Sequence, residues 1–272
     1  MHPKRRGRAN ASNGSGGVLL RLLEHLYRQA ATGFAFACFF LGGSVLAAVV
    51  LPVLCWSPDH RRQRVQQLLR SIFRLYLAML RGLGLIRLDI EGGETLQHCR
   101  RRLIIANHPS LLDVVILMAL TPNAQCIIKH ELWNSRFLGG VMRRAEYIRN
   151  DLEGGALIQA CRRALDDGGN IIVFPEGTRS RPGVMPRFHR GFANIATLTQ
   201  VEILPVVITC DPPTLTKGER WWVVPATRPT FRVVVGECLE AGGYMTDRYR
   251  SVDSRRLVAR MEAYYAERLA NV

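Results

Sequence analysis

Apolar residues are spread along this chain in three regimes. Between residues 33 and 56 no charged side chain interrupts the sequence. From 61 to 84, Val65, Leu68, Leu69, Ile72, Phe73, Tyr76 and Leu80 recur at three- and four-residue spacing, with Arg61, Arg62, Arg64, Arg70, Arg74 and Arg81 among and beside them. That is the pattern of a basic amphipathic helix. Beyond Gly84, short β-rich runs alternate with helical stretches. The runs at 86–90, 103–106, 126–128, 171–174, 203–208 and 231–235 predict strands, and those at 110–120, 152–167, 191–199 and 247–269 predict helices. Strands alternating with helices of about a dozen residues build βαβ units. The expected fold class for 85–272 is therefore α/β, with a largely parallel central sheet flanked by helices. In the last helix Leu257, Met261, Tyr264, Tyr265 and Leu269 fall on one side and arginines on the other, as in an amphipathic helix docked on a domain. There is no internal repeat.

At about 1.5 Å per residue a helix over 33–56 is long enough to cross the hydrocarbon core of a bilayer. With Gly42-Gly43 as a place to bend, two arrangements fit: a single span, or a segment that enters one leaflet and returns. A secretory signal peptide would have a shorter apolar region and would not follow a long basic leader. A buried core helix is the other rival. Residues 1–32 carry six Lys or Arg against one Glu, and Asp59-His60-Arg61-Arg62-Gln63-Arg64 follows the apolar run. Positive charge on both flanks leaves the orientation unresolved. The helix at 61–84 either lies in a headgroup layer or packs on the domain. The expected organisation is a basic flexible tail (1–17), a membrane-associated helical region (18–84, with the apolar segment 33–56 and the amphipathic helix 61–84) and an α/β domain (85–272).

A net charge of +15 points to a polyanionic partner: nucleic acid, an anionic membrane surface or a phosphorylated substrate. Seven scattered cysteines without a Cys-x-x-Cys pair argue against a disulfide framework or a zinc finger and suggest a reducing compartment. The histidines show no His-Glu-x-x-His spacing. A basic nucleic-acid-binding membrane protein is the alternative from another class. Against it stand the 24-residue uncharged apolar run, an aromatic content of 8% and the lack of any groove-reading motif.

Two polar blocks follow predicted strands. Leu103-Ile104-Ile105-Ala106-Asn107-His108-Pro109-Ser110-Leu111-Leu112-Asp113 runs from a strand into a helix. His108 falls at the strand's end and Asp113 on the first helical turns, from where its carboxylate can reach back to the imidazole. A carboxylate on one ring N–H fixes the tautomer and stabilises the imidazolium formed when the other nitrogen takes a proton, which suits a general base. No Ser or Cys nucleophile accompanies the pair, and Ser110 can cap the helix start. Such a pair acts on a hydroxyl supplied by a substrate. The plainer alternative is a loop histidine beside an aspartate that favours the helix dipole. The second block, Ile171-Ile172-Val173-Phe174-Pro175-Glu176-Gly177-Thr178-Arg179-Ser180, ends a strand in a tight turn. Pro175 stops the ladder and Gly177 permits the bend. Arg179 is placed to fork onto a phosphate.

The chain resembles the glycerolipid acyltransferase family that includes the 1-acylglycerol-3-phosphate acyltransferases. Asn107-His108 with Asp113 resembles the family's Asn-His-x-x-x-x-Asp block. Pro175-Glu176-Gly177-Thr178-Arg179 resembles its Pro-Glu-Gly-Thr-Arg block, and Lys129-His130-Glu131-Leu132 its Lys-x-Glu-Leu segment. Phe188–Ala193 resembles the stretch after the Glu-Gly-Thr-Arg turn, and Ile203-Leu204-Pro205-Val206 the apolar block with a proline. Together these cover roughly residues 85–240. The resemblance implies that His108 deprotonates a lipid hydroxyl and that Asp113 orients it. The hydroxyl then attacks an acyl thioester of coenzyme A or acyl carrier protein. Glu176, Gly177 and Arg179 would help to hold the acceptor's glycerol-phosphate. Asn107, Thr178, Lys129 and Arg149 are carried over as substrate-binding positions. The expected acceptor is a lysophospholipid such as 1-acylglycerol-3-phosphate. The expected partners are the acyl thioester, the lysophospholipid and an anionic membrane surface, with no nucleic acid. No metal or bound cofactor is implied, and the expected location is the cytoplasmic face of the cell's inner membrane.

One block departs from the family pattern. Where Gly-x-x-x-Ile-x-Arg is usual, Arg143 replaces Gly, and Glu146 brings a negative charge ahead of Arg149. A different acceptor pocket is the consequence expected. The stretch from Ile208 to Glu219 resembles a less characterised bacterial branch, some of whose members are associated with aryl polyene lipids. An aryl polyene or ornithine-type lipid is the alternative acceptor.

Overall fold

The computed structural model describes residues 14–50, 52, 61–136, 138–181, 184, 187–240 and 250–270. Seven strands form one sheet: β1 (Arg87–Glu91), β2 (Arg102–Ala106), β3 (Ala124–Ile128), β4 (Ile148–Arg149), β5 (Asn170–Val173), β6 (Glu202–Asp211) and β7 (Thr230–Val235). Their order is β1-β7-β6-β2-β5-β3-β4. Every neighbouring pair is parallel except β6 with β7. The largely parallel α/β sheet expected from the alternation is what forms. The one antiparallel pair occurs where the chain between two strands contains no helix, and a parallel return needs such a crossover.

Side chains alternate across the strands and feed two cores. Ile104, Ile172, Leu204 and Val206 face one way, beneath α2 (Arg61–Gly82) and α4 (Asp113–Leu120). Leu103, Ile105, Ile171 and Ile203 face the other, beneath α7 (Gly154–Asp166), α8 (Gly191–Thr199) and α9 (Arg250–Ala270). The closing helix docks as its pattern predicts, with Leu257, Met261 and Tyr265 fully buried. Residues 247–249 of that prediction lie outside the described residues. The Tyr265 hydroxyl is set between the Ile105 and Val206 carbonyls (2.5 and 3.1 Å) and accepts the Val206 N–H (3.2 Å). Tyr265→Phe is expected to destabilise the domain by about 1–3 kcal/mol, because it strips partners from buried backbone groups. Urea denaturation measures this.

The sequence expectations need several corrections. The apolar helix α1 (Gly14–Val45) starts well before residue 33, inside the expected tail, and continues as a π-helical turn over Leu46–Val50. Once an apolar stretch is helical, each added residue gains a hydrogen bond, so the helix extends over its flanks. Residues 1–13, 51 and 53–56 lie outside the described residues. Gly42 and Gly43 do not bend the chain. They sit within the helix, and a Cβ at Gly43 would lie 3.2 Å from the Leu138 side chain, so a small residue allows the close approach. Val18–Val50 is long and apolar enough to cross a membrane, and its most apolar 18 residues have a mean hydropathy of 2.2 with only 11% of them buried.

The helix at 61–84 takes the second of its two readings. Val65, Leu69, Leu77 and Leu80 are buried in the core. Arg70 donates to the Ala119 and Leu120 carbonyls, and Arg62 pairs with Asp167 at 2.6 Å. That face is occupied by the domain and does not lie in a headgroup layer. The helix predicted over 110–120 begins only at Asp113, since Leu111 N–H is drawn to the Leu215 carbonyl. Four short elements were not foreseen: β4, α3 (Gly93–His98), α5 (His130–Trp133) and α6 (Gly139–Arg144). None is long enough to show a period.

Candidate active site

Strands β2, β3, β5 and β6 run parallel, so the loops after them meet at one edge of the sheet, where α/β folds place ligands. Each loop brings a polar group. His108 follows β2, Lys129 follows β3, the 175–180 turn follows β5, and Lys217 lies in the connection after β6. They open onto a crevice of about 690 Å³. His108, Lys129, Thr178, Arg179, His189 and Lys217 give it polar lining, and Val114, Cys126, Ile128, Met142, Tyr147 and Phe174 apolar lining.

The predicted pair forms. His108 Nδ1 lies 2.9 Å from Asp113 Oδ2, which also accepts the Ser110 N–H at 2.7 Å. The ring stacks on Phe174, with centroids 4.2 Å apart. Because Asp113 takes Nδ1, Nε2 is the nitrogen left for chemistry. Asp113 is fully buried, and its Oδ1 has no hydrogen-bond partner among the described residues. Burial pushes this carboxyl above the ordinary carboxylate range, against the pull of His108 and the Ser110 N–H.

The second block supports the first through the backbone. Glu176 Oε1 accepts the His108 N–H (3.0 Å) and the Ser180 hydroxyl (2.7 Å). Ser180 N–H returns to the His108 carbonyl at 2.7 Å. Gly177 has φ +64°, and a Cβ there would meet the His189 ring at 3.2 Å. Glycine is therefore required by both backbone and space. Burial raises the Glu176 carboxyl, opposed by its bonds to Ser180 and His108.

Several predicted substrate contacts are spent elsewhere. Asn107 is 3% exposed. Its amide donates to the Ile208 carbonyl (2.7 Å) and accepts the Ile208 N–H (2.8 Å), which ties β2 to β6. Its side chain thus holds the scaffold beside His108. Glu176 Oε1 positions the His108 backbone in the same way. Arg149 grips Asp151 through two bonds (2.9 and 2.5 Å) and is not among the residues lining the crevice. Glu146 faces Arg61 and Arg62 at 3.7 and 3.9 Å, so its charge is directed to α2. Arg179 does reach the crevice. One of its nitrogens donates to the Leu215 and Thr216 carbonyls (both 2.8 Å), which anchors the segment that carries Lys217.

Local motif reading did not find Lys217, Ser180 or Phe174 as site residues. For Lys217 a signal existed. The chain has only three lysines, Lys4, Lys129 and Lys217, and two of them line this crevice. Two other nucleophiles are withdrawn. Ser110 is fully buried, and burial pushes the Cys126 thiol up to about 12, far from the thiolate that would react. Among the described residues no group of three or more His, Cys, Asp or Glu side chains converges.

Residues 87–209 match the family model described as Acyltransferase. Those residues form an acyltransferase domain. The acyltransferase domain is similar to the 1-acyl-sn-glycerol-3-phosphate acyltransferase of Helicobacter pylori, with 38% identity over 39% of this chain and 48% of that protein. Similarity to the alpha enzyme of the same name from Mus musculus is 28% over 71% of this chain and 68% of that protein. The chain thus spans about half the length of the bacterial relative, and 46% of a similar one from Limnanthes douglasii. The solved 1-acyl-sn-glycerophosphate acyltransferase of Thermotoga maritima superposes with a TM-score of 0.66 at 23% identity, covering 90% of this chain and 97% of that one. This likeness establishes the fold of the acyltransferase domain.

Proposed function

We propose that the protein transfers a fatty acyl group from an acyl thioester of coenzyme A or acyl carrier protein to the free hydroxyl of a lysophospholipid such as 1-acylglycerol-3-phosphate. The observation that carries this reading is the His108–Asp113 pair, which opens onto a crevice lined by both cationic and apolar side chains. His108 Nε2 takes the proton of the acceptor hydroxyl as its oxygen bonds to the thioester carbonyl carbon. The C–S bond then breaks, and the imidazolium returns the proton to the departing thiolate. Asp113 holds the ring through Nδ1 and offsets the charge of the imidazolium. Arg179, Lys129 and Lys217 face the acceptor's phosphate, and the apolar wall takes acyl chain. Work at a membrane surface follows from acceptors that reside there and from the apolar length of α1. The cytoplasmic face is the side on which coenzyme A and acyl carrier protein thioesters are found.

The test is an assay with labelled acyl thioester and a panel of lysolipids. Phosphatidic acid formed from lysophosphatidic acid is the expected product. No product from any lysolipid with the intact chain would overturn the reading. Within the same assay Arg179→Ala is expected to raise the apparent KM for the acceptor by about tenfold, the cost of one lost charge-assisted contact. The KM for the donor should change far less. Equal effects on both would contradict the phosphate role.

A further inference from the structure

The connection between β6 and β7, residues 212–229, serves two places. At its base it meets Arg179 and brings Lys217 to the crevice. At its far end Trp221, Trp222 and Val223 stand 43%, 44% and 48% exposed. Adjacent indoles in water are unfavourable unless something covers them. These are held in place from α1. Arg28 donates to the Ala226 carbonyl at 2.8 Å, and the Gln29 amide reaches the Trp222 carbonyl at 3.5 Å. A Cβ at Gly33 would lie 3.3 Å from the Trp221 ring, so the glycine lets that indole lie close on the helix.

The rings also continue the helix's own apolar surface. Trp222 meets Trp221 (centroids 5.5 Å), Trp221 meets Phe36 (5.7 Å), and Phe36 meets Phe40 (6.3 Å). Phe40 is itself exposed, as are Phe34, Leu41 and Val45 elsewhere on α1. A chain of aromatic contacts thus passes from the N-terminal helix onto the acyltransferase domain. Cations border it: the Arg220 guanidinium lies 5.2 Å from the Trp222 ring centroid, and Arg28 and Arg228 line the same pocket as Trp221.

We infer that the Trp221-Trp222-Val223 turn is a second membrane anchor, which enters the headgroup boundary of an anionic bilayer beside α1. The inference rests on the membrane-surface reading given under Proposed function and adds a contact made by the acyltransferase domain itself. Indoles favour that boundary because an apolar ring and an N–H donor are both satisfied there. The flanking cations meet anionic headgroups. Since the turn and the crevice wall belong to one segment, the depth of the tryptophans sets the height of the crevice above the lipid. An acceptor can then enter without leaving the bilayer surface entirely.

The full chain has four tryptophans, Trp56, Trp133, Trp221 and Trp222. In a Trp56→Phe, Trp133→Phe variant only the pair in question emits. It is mixed with vesicles of phosphatidylglycerol and phosphatidylcholine, either plain or brominated high on the acyl chains. Emission is expected to shift to the blue with plain lipid and to be quenched with brominated lipid. In the otherwise natural chain, Trp222→Ser with Val223→Ser is expected to weaken vesicle binding about tenfold or more, in line with two apolar side chains left in water. Turnover of a detergent-dispersed lysolipid should be unchanged. A chain that pellets with vesicles while its indoles stay unquenched, or while the double-serine variant binds equally well, overturns the anchor and leaves the membrane reading intact. A parent chain that does not pellet at all overturns both.

Discussion

His108→Ala is expected to lower kcat by about 10²–10⁴-fold, the span of a lost general base, with the fold preserved. The imidazole touches Asp113 and Phe174 but supports no core, and its side chain is partly exposed. The contacts that hold this turn use the backbone of residue 108: its N–H to Glu176 and its carbonyl from Ser180. Alanine keeps both. Transfer of labelled acyl groups, read beside far-ultraviolet circular dichroism and the urea midpoint, separates the two effects. A well-folded and fully active variant would remove His108 from the chemistry.

Asp113→Asn should move activity and stability in opposite directions. Activity falls by about 10²-fold or more, because the amide no longer selects the productive tautomer or offsets the imidazolium. Stability at neutral pH rises. Burial raises the Asp113 pKa in the folded chain, so folding favours the protonated carboxyl. The stability this group contributes is fully present below its unfolded value and is lost as pH climbs through its higher folded value. At neutral pH the ionised form is a net cost, and asparagine, which does not titrate, avoids it. Denaturant midpoints of both chains across pH 3 to 8 should therefore diverge as pH rises through and above the carboxylate range. Curves that stay parallel throughout would contradict the burial argument.

Both strand-to-turn blocks and the sheet class were legible because each depends on short-range signals: β-branched runs, a stop, and a polar residue at the stop. His108 and Asp113 are five residues apart, so their encounter is a local matter of one strand end and one helix start. The roles of Asn107 and Glu176 were not legible. Asn107 bonds to Ile208 and Glu176 to His108, partners that only the sheet order brings near. Periodicity gave α2 an apolar face without saying what would cover it; the domain does. The two-residue β4 has too few positions to repeat anything. Arg149 pairs with a neighbour two residues away, Asp151, a contact that the motif spacing does not announce.

Asn107 joins β2 to β6, and Glu176 and Ser180 clasp the histidine turn from β5. The proton-handling geometry is thereby clamped chiefly from two strands. The long β6–β7 connection meets the clamped unit through Arg179 and the Leu111 N–H. Headgroup preference can accordingly drift, or be engineered by grafting a different stretch at 212–219, while the reaction chemistry stays the same.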